Sequence, residues 1–496
     1  MTSWSRGYVA DAPYTVSYHP TQVPSHMALA AAINGVDWQP RERMTVADIG
    51  CGRGYVIAAL AASNPGWNCI GLDYNPGQIA EAMDFAEEAG LDNLGFVEAD
   101  LAAMSDSDMD SLPMLDVAML HGVWTWVADP VRAGIVRLLS RRLKPGGVVY
   151  ISYNSLPGFG QDAALQRLLR LGASLAPRGD SVERVLHALP LVKELQATNP
   201  KMLANTYMLK RLVQEGPPPN PPYLAHEFMT EHWRPVFQAD LAEALAPARL
   251  DYIGSSTLVE NIPDMFLEPA QRAIWDRMPE GSPQELVKDL CIERPFRRDI
   301  YMRGMRKIDR RAALDKIIVA LATHETEKLP GLPTSRGMAN LAPEVANDVL
   351  AALRQGPQRI GDLRRLTPGR STTPEELLVM LNGAGTVEPI WRTRVDANAV
   401  ARARRFNERA AAHYAGQGTS EGQYGLASPF MGAALPVTSL ELYLATRPEL
   451  QGVTDPTEAE ARLRPLLPPE ADEKAIATAM KTLTDRLPVW QRFGVV

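Results

Sequence analysis

Val46-Ala47-Asp48-Ile49-Gly50-Cys51-Gly52-Arg53-Gly54 joins a short apolar run to three alternating glycines, immediately before a helix-forming segment, Tyr55–Ser63. Glycine lets a backbone turn sharply and lets a ligand approach it without Cβ atoms in the way. The neighbouring segments give that turn its context. Met44–Asp48, Asn68–Asp73, Leu94–Glu98 and Leu115–Leu120 read as short strands, while Pro76–Ala89 and Pro130–Leu143 carry apolar residues at helical spacing. Lys144-Pro145-Gly146-Gly147 then turns the chain into a fifth strand, Val148–Tyr153. Strands alternating with helices predict a mostly parallel sheet covered on both faces and joined by right-handed crossovers. Residues 1–160 are therefore expected to form a doubly wound, Rossmann-like α/β domain.

The whole chain has room for more. Its 496 residues suit two to four domains at roughly 100–200 residues each, and 46% hydrophobic residues supply ample core. Cys51, Cys69 and Cys291 form no CxxC pair and no disulfide framework; this suits a reducing compartment, and no metal site is expected. The N-terminal MTSWSRGYVADAPY has no apolar h-region, and no later stretch approaches the ~18–20 apolar residues of a membrane span. A soluble, cytoplasmic protein without membrane insertion is expected. The net charge of −7 is concentrated in residues 1–150, where nine Lys/Arg face 17 Asp/Glu. An acidic front argues against nucleic acid or anionic lipid as partners, because both kinds of binding start from clustered Lys/Arg. A cationic ligand or a basic substrate suits it better.

After the first domain the pattern is helical from Gln161 to Glu215, and the run Gly216-Pro217-Pro218-Pro219-Asn220-Pro221-Pro222 cannot continue a helix. Residues 161–222 are read as a helical insertion and 223–311 as a middle domain. In the latter, Phe237–Leu245 reads as a helix and Leu250–Gly254 as a strand that could return to the edge of the first sheet. The basic segment from Arg294 to Arg311 reads as a solvated helix face paired with the acidic first domain, in preference to a nucleic-acid surface. Residues 312–496 are a helix-rich C-terminal domain. Within it Val349–Arg354, Ile360–Leu366 and Pro374–Asn382, followed by the strand-like stretch from Gly383 to Ile390, resemble a winged helix-turn-helix module.

The chemistry starts at Asp48. Dinucleotide sites use G-x-G-x-x-G with a helix N-terminus facing a pyrophosphate, whereas here the order is Asp48-x-Gly50-x-Gly52-x-Gly54. An acid at 48 would repel a pyrophosphate and welcome a cationic amine. Asp73 ends the next strand about 20 residues on, where nucleotide-binding sheets set an acid against ribose hydroxyls. The stretch resembles motif I of class I S-adenosylmethionine-dependent methyltransferases, whose ligand has an ammonium and a sulfonium but no phosphate. The resemblance implies S-adenosyl-L-methionine as cofactor, with Asp48, Gly50, Cys51, Gly52 and Gly54 around it. It sets Asp73 and Tyr74 at the ribose, and Asp100 and Leu101 of Val97-Glu98-Ala99-Asp100-Leu101 beside the adenine. Leu143-Lys144-Pro145-Gly146-Gly147 matches the turn before the fifth strand.

Ligands of open α/β sheets bind outside the carboxyl ends of the strands. His121-Gly122-Val123-Trp124-Thr125-Trp126-Val127 follows the fourth strand there. Trp124 and Trp126 are candidate walls of a narrow slot for an amine or its aliphatic stem; ordinary core filling is the other reading. His121 could take a proton near neutral pH or contact the cofactor. After the fifth strand Tyr153 and Asn154 offer a hydroxyl and an amide to orient an acceptor nitrogen, or Asn154 and Ser155 cap their own loop. Pro13-Tyr14-Thr15-Val16-Ser17-Tyr18-His19-Pro20 could lie over the donor as a lid that brings Tyr18 to the cofactor, or form a surface arm. His226-Glu227 with His232 lacks the i, i+4 histidine pair of H-E-x-x-H, so a structural or interdomain role is read there.

The lid stretch, the His121–Val127 stretch and Ser152-Tyr153-Asn154-Ser155-Leu156-Pro157-Gly158 together resemble methyltransferases that carry a methyltransferase regulatory domain. Tyr223-Leu224-Ala225-His226-Glu227-Phe228 looks like the start of that domain and Pro295-Phe296-Arg297-Arg298-Asp299-Ile300 like its end. The best-understood relatives are rickettsial protein-lysine methyltransferases that modify outer-membrane proteins and are dimers. The resemblance therefore implies N-methylation of lysine side chains in a protein or peptide substrate, and a homodimer. Where the group carries Tyr-Ser, this chain has Trp124-Thr125. Two other readings stay open: an enzyme acting on a ribosomal peptide or small natural product, and a non-catalytic donor fold with a nucleic-acid-binding C-terminal domain.

Overall fold

The computed structural model describes residues 5–496 except 6, 13, 15, 205, 215, 217–219, 325–327, 370–371, 415–422, 451–452, 454–455 and 469–470. Pro13 and Thr15 of the N-terminal stretch, Glu215, and Pro217, Pro218 and Pro219 of the proline run lie outside the described residues. Seven strands form the central sheet: β1 (Thr45–Ile49), β2 (Asn68–Asp73), β3 (Leu94–Glu98), β4 (Leu115–Leu120), β5 (Leu143–Asn154), β6 (Leu250–Ser255) and β7 (Phe296–Arg303). Their order is β3-β2-β1-β4-β5-β7-β6. The first five run parallel, and β7 is antiparallel to both β5 and β6. The fold is a Rossmann-like α/β sheet with a helix-rich C-terminal region, as its strand-helix alternation predicts.

Parallel strands buried on both faces read as continuous apolar runs, and β4 is buried at every position. One face is covered by α1 (Pro24–Ile33), α2 (Tyr55–Ser63) and α3 (Pro76–Glu88). The other is covered by α4 (Asp106–Ser111), α5 (Asp129–Arg142) and, after a long excursion, α10 (Gln238–Leu245). That excursion holds α6 (Ala163–Ser174), α7 (Ser181–Ala197), α8 (Tyr207–Val213) and α9 (Pro221–Phe228), which share a third apolar cluster. Between β6 and β7 lie α11 (Pro269–Trp275) and α12 (Ser282–Cys291).

Two local expectations change. Lys144-Pro145-Gly146-Gly147 is part of β5, absorbed by a register shift between Leu115 and Val117 of β4, so the strand begins at Leu143. The larger change concerns the basic segment, whose first part, Phe296–Arg303, is a buried strand and no solvated helix face, whereas Arg306 to Arg311 are exposed and Arg306 pairs with Asp37 of the first domain at 2.8 Å. Arg297 and Asp299 alternate onto one face of β7, both without exposed surface. Arg297 pairs with Asp289 and Glu285 of α12 and with Asp299, at 2.9, 2.8 and 3.0 Å, and Arg294 pairs with Glu260 at 2.8 Å. A charged strand can be buried here because α12 delivers carboxylates to neutralise it.

The C-terminal part begins with α13 (Arg310–Asp315) and β8 (Ile318–Leu321), followed by the hairpin β9 (Leu332–Thr334) and β10 (Gly337–Ala339). α14 (Pro343–Arg354), β11 (Gln358–Arg359), α15 (Ile360–Leu363), α16 (Pro374–Gly383) and β12 (Val387–Pro389) follow, with β8 between β11 and β12. The last elements are α17 (Ala397–Tyr414), the hairpin β13 (Tyr424–Ser428) and β14 (Ala433–Val437), α18 (Ser439–Ala445), α19 (Pro456–Leu463) and α20 (Glu473–Arg492). Among the described residues no helix is long and apolar enough to cross a membrane.

Candidate active site

A cavity of about 630 Å³ opens along the carboxyl edge of the sheet. The strand ends arrive there in order, with Asp100 after β3, Asp73 on β2, Asp48 on β1, His121 after β4 and Asn154 on β5, and all five line it. Gly50, Cys51, Gly52, Tyr74 and Leu101 line it as well. Gly50 has φ +77°, and a Cβ there would stand 2.4 Å from Val123 Cγ2, so only glycine lets the first turn pass under the loop after β4.

The acids are held by backbone. Asp73 accepts from Gly52 N at 2.8 Å and Asn75 N at 2.9 Å, which ties the glycine turn to the end of β2. Asp100 accepts from Ala102 N at 3.1 Å. Asp48 is 4% exposed, and burial followed by the nearby Asp73 carboxylate pushes it up to about 7. The Cys51 thiol is raised by burial and by both of these acids. Two carboxylates this close favour a cation between them.

Across the cavity lies Glu227 of α9, only 5% exposed. Its Oε1 accepts from Asn154 Nδ2 at 2.8 Å and Trp233 Nε1 at 3.1 Å, and its backbone carbonyl accepts from Trp126 Nε1 at 3.2 Å. Burial pushes this carboxyl up to about 7. Tyr14 of the N-terminal segment stands between the two acidic ends: burial pushes its hydroxyl up to about 12, and Glu227 and Asp73 add to the shift. Its ring meets the His226 ring edge-on at 4.9 Å. This end of the cavity is thus a carboxyl walled by Tyr14, Trp126 and Tyr223.

His121 is packed for support. Its ring stacks on His19 at 4.0 Å, and its Nδ1 lies 3.1 Å from the Tyr150 hydroxyl and 3.2 Å from Ser152 Oγ. Burial and the neighbouring His19 and Arg298 hold its imidazole well below the ordinary range, so it stays neutral.

Four candidates lie outside the cavity lining. Trp124, 3% exposed, sits in the core under the other sheet face, and its carbonyl accepts from Arg132 Nε at 2.9 Å. Tyr153 alternates away from Asn154, and its hydroxyl donates to Asp299 Oδ2 at 2.6 Å. Tyr18 is fully buried against the C-terminal hairpin, where its hydroxyl oxygen accepts from Ala434 N at 2.9 Å. Gly54 is the N-cap residue of α2, and a Cβ there would stand 2.7 Å from Phe96 Cε1, so it serves packing. For Tyr153 the cause is strand alternation, which turns neighbours in sequence to opposite faces of the sheet. From the N-terminal stretch Tyr14, Val16, Ser17 and His19 line the cavity instead.

The site suits a nucleoside with a cationic tail. Acids stand at three successive strand ends; Ala99, Leu101 and Leu72 give an apolar wall; and at Gly52 a Cβ would meet nothing nearer than Gln78 Oε1 at 3.5 Å. The volume falls within the roughly 300–1,000 Å³ usual for small-molecule sites.

Comparison with known proteins agrees with this geometry. Residues 46–147 match the family model described as a methyltransferase domain, and residues 220–303 the one described as a predicted methyltransferase regulatory domain. An uncharacterized protein of Synechocystis sp. is 28% identical over 452 residues, covering 89% of this chain and 87% of that one. A tRNA (guanine-N(7)-)-methyltransferase of Nocardia farcinica is 31% identical over 127 residues, covering 23% of this chain and 45% of that one. Among solved structures, PKMT2 from Rickettsia typhi in complex with AdoHcy superposes with a TM-score of 0.69 at 16% identity, covering 97% of this chain and 98% of that one. The fold is therefore shared along nearly the whole chain.

Proposed function

We propose that this chain, which carries a class I S-adenosylmethionine-dependent methyltransferase fold and a methyltransferase regulatory domain, N-methylates lysine side chains of a protein or peptide. One observation carries the reading: a single cavity joins the acids at the strand ends to a buried carboxyl walled by aromatic rings. A cationic side chain with a long apolar stem matches that second end in both charge and shape. The likeness to PKMT2 of Rickettsia typhi supports the same substrate class.

S-adenosylmethionine, when bound, supplies an electrophilic methyl on a sulfonium. The residues fit it: Asp48 would hold the ammonium, Asp73 the ribose hydroxyls and Asp100 the adenine edge. What remains is to deliver a lone pair. A lysine ε-amine has an ordinary pKa near 10.4, so it must lose a proton before it can attack. Glu227, raised to about 7, is poised to receive that proton near neutral pH, while Asn154 and Trp233 fix its carboxyl. Trp126 and Tyr14 exclude water and align the stem, which is most of what an in-line displacement needs.

The test is incubation of the purified chain with labelled S-adenosylmethionine and a whole-cell lysate. Label in acid-precipitable protein, mapped to lysine, is expected; label only in RNA or small molecules sinks the reading. Glu227→Gln is expected to lower transfer roughly 100-fold, the scale of a lost general base, while donor binding by calorimetry stays unchanged. Equal loss of donor binding would instead make Glu227 a structural residue.

A further inference from the structure

Arg298 of β7 also lines the cavity, beside His19 and His121. It differs from the arginines nearest it in the chain. Arg294 and Arg297 are locked to buried carboxylates, Arg303 caps the carbonyls of Ser140 and Leu143 at 2.9 and 2.8 Å, and Arg306 pairs with Asp37 at 2.8 Å. Arg298 lies over the Phe296 ring, 5.0 Å from its centroid, and among the described residues no carboxylate is within ion-pair distance of it. The histidines around it do not offset its charge: burial, with the Arg298 charge itself, holds His19 and His26 down at about 4.

A second, independent feature faces the same space. Gln22, just before α1, is 2% exposed and lines the cavity, yet its amide oxygen has no hydrogen-bond partner among the described residues. A buried amide left unpaired costs free energy that a ligand's polar group would recover. An unneutralised guanidinium and an unpaired amide in the cavity that Asp48 also lines form a set matched to a zwitterion, a carboxylate for the guanidinium and an ammonium for Asp48 and the amide oxygen.

We propose that Arg298 and Gln22 form the subsite for the α-amino-carboxylate end of the methyl donor. The inference rests on the donor reading above and adds to it that a residue of β7, the last strand of the central sheet along the chain and the end of the regulatory-domain match, completes the donor site. A carboxylate from an acidic side chain of the substrate protein is the competing source of the anion, so the test uses donor alone.

Calorimetry is run on the full chain with S-adenosylmethionine and with its decarboxylated form, which keeps sulfonium, nucleoside and amine. The unaltered protein is expected to bind the decarboxylated donor roughly 10- to 100-fold more weakly, the scale of one charge-assisted contact. Arg298→Met is expected to lose that same factor for S-adenosylmethionine while binding the decarboxylated donor as before, which also shows that the variant is folded. Arg298→Lys is expected to retain part of the discrimination, and Gln22→Leu to weaken both donors. If the unaltered protein does not distinguish the two donors, or if Arg298→Met weakens both equally, the subsite is refuted. If Arg298→Met does not fold, the unaltered protein and Arg298→Lys still decide. If the unaltered protein binds neither donor, the donor reading itself fails, by a different measurement from the one that tests Arg298.

Discussion

Asp48 sits in a state that its ligand would change. Burial and Asp73 raise it to about 7 in the folded chain, above its ordinary value of 3.8, so the folded state holds the proton more tightly than the unfolded one. Its contribution to stability is therefore full below pH ~4 and is lost as pH rises through ~7. A cationic donor reverses the preference, because it binds the carboxylate form. Without donor, Asp48→Asn is expected to melt several degrees above the unaltered protein at pH 8, with the gap closing by pH 4. With donor the order is expected to invert, and donor affinity should rise with pH until about 7 only in the unaltered protein. Equal melting temperatures at pH 4 and pH 8 would show that the carboxyl is not buried as described. Asp48, Asp73 and Asp100 were legible because each stands at or just beyond the carboxyl end of a strand, where position along the chain fixes position in space. Glu227 was not: its charge was visible, but its place beside Asn154, 73 residues earlier, depends on how α9 closes over the sheet edge. Tyr153 could have been excluded by alternation alone, since Ser152 and Asn154 share the face that Tyr153 must leave.

At the scale of elements, the donor site is shaped by backbone packed directly on backbone. α5 crosses the loop after β3 so closely that a Cβ on Gly134 would stand 1.9 Å from the Leu101 carbonyl oxygen. Gly134→Ala is therefore expected to push the Asp100–Leu101 loop off its seat, destabilising the fold by about 1–3 kcal/mol through overpacking. Donor affinity should fall in the same variant, because that loop carries the proposed adenine contacts. Retention of unchanged donor affinity and melting temperature would mean that α5 slides freely. β7 shows why some elements escape a reading of the sequence. Its Phe296–Arg303 run carries Arg297, Arg298, Asp299 and Arg303, a pattern that resembles a solvated surface. The neutralising Glu285 and Asp289 arrive from α12, and without them the strand would be too costly to bury. Arg297→Met is accordingly expected to destabilise by about 3–5 kcal/mol, since removing one partner leaves buried acids uncompensated. Measured by denaturant titration, a loss below 1 kcal/mol would show that water reaches this network.

For the whole molecule, the question is why methyl transfer chemistry that fits in a first domain comes with so much further chain. Part of the answer lies in α2. All nine of its residues are buried, and a helix that is apolar all round must be covered on every side. The sheet covers one side; the β13–β14 hairpin and α17 cover the other. Tyr55 donates to the Gly425 carbonyl at 2.9 Å, Ser63 to the Ala433 carbonyl at 2.6 Å, and the Tyr18 hydroxyl accepts from Ala434. α2 starts at the glycine turn, so the same hairpin that completes the core also backs the donor loop. The sequence showed an apolar helix after the turn but could not show what would cover it, because the cover lies some 370 residues later. This makes the C-terminal part a folding partner of the first domain as well as an accessory to it. A chain ending at Arg311 is expected to expose α2 and to accumulate as insoluble or dye-binding aggregated protein, while the full chain elutes as a defined species in size exclusion. Replacing the α2 residues whose side chains meet this cover, Tyr55→Gln and Ser63→Glu together, is expected to recover soluble short chain while destabilising the full one. A short chain that stays soluble and melts cooperatively without those changes would show that the C-terminal part is dispensable for the core, and would leave substrate selection as its sole task.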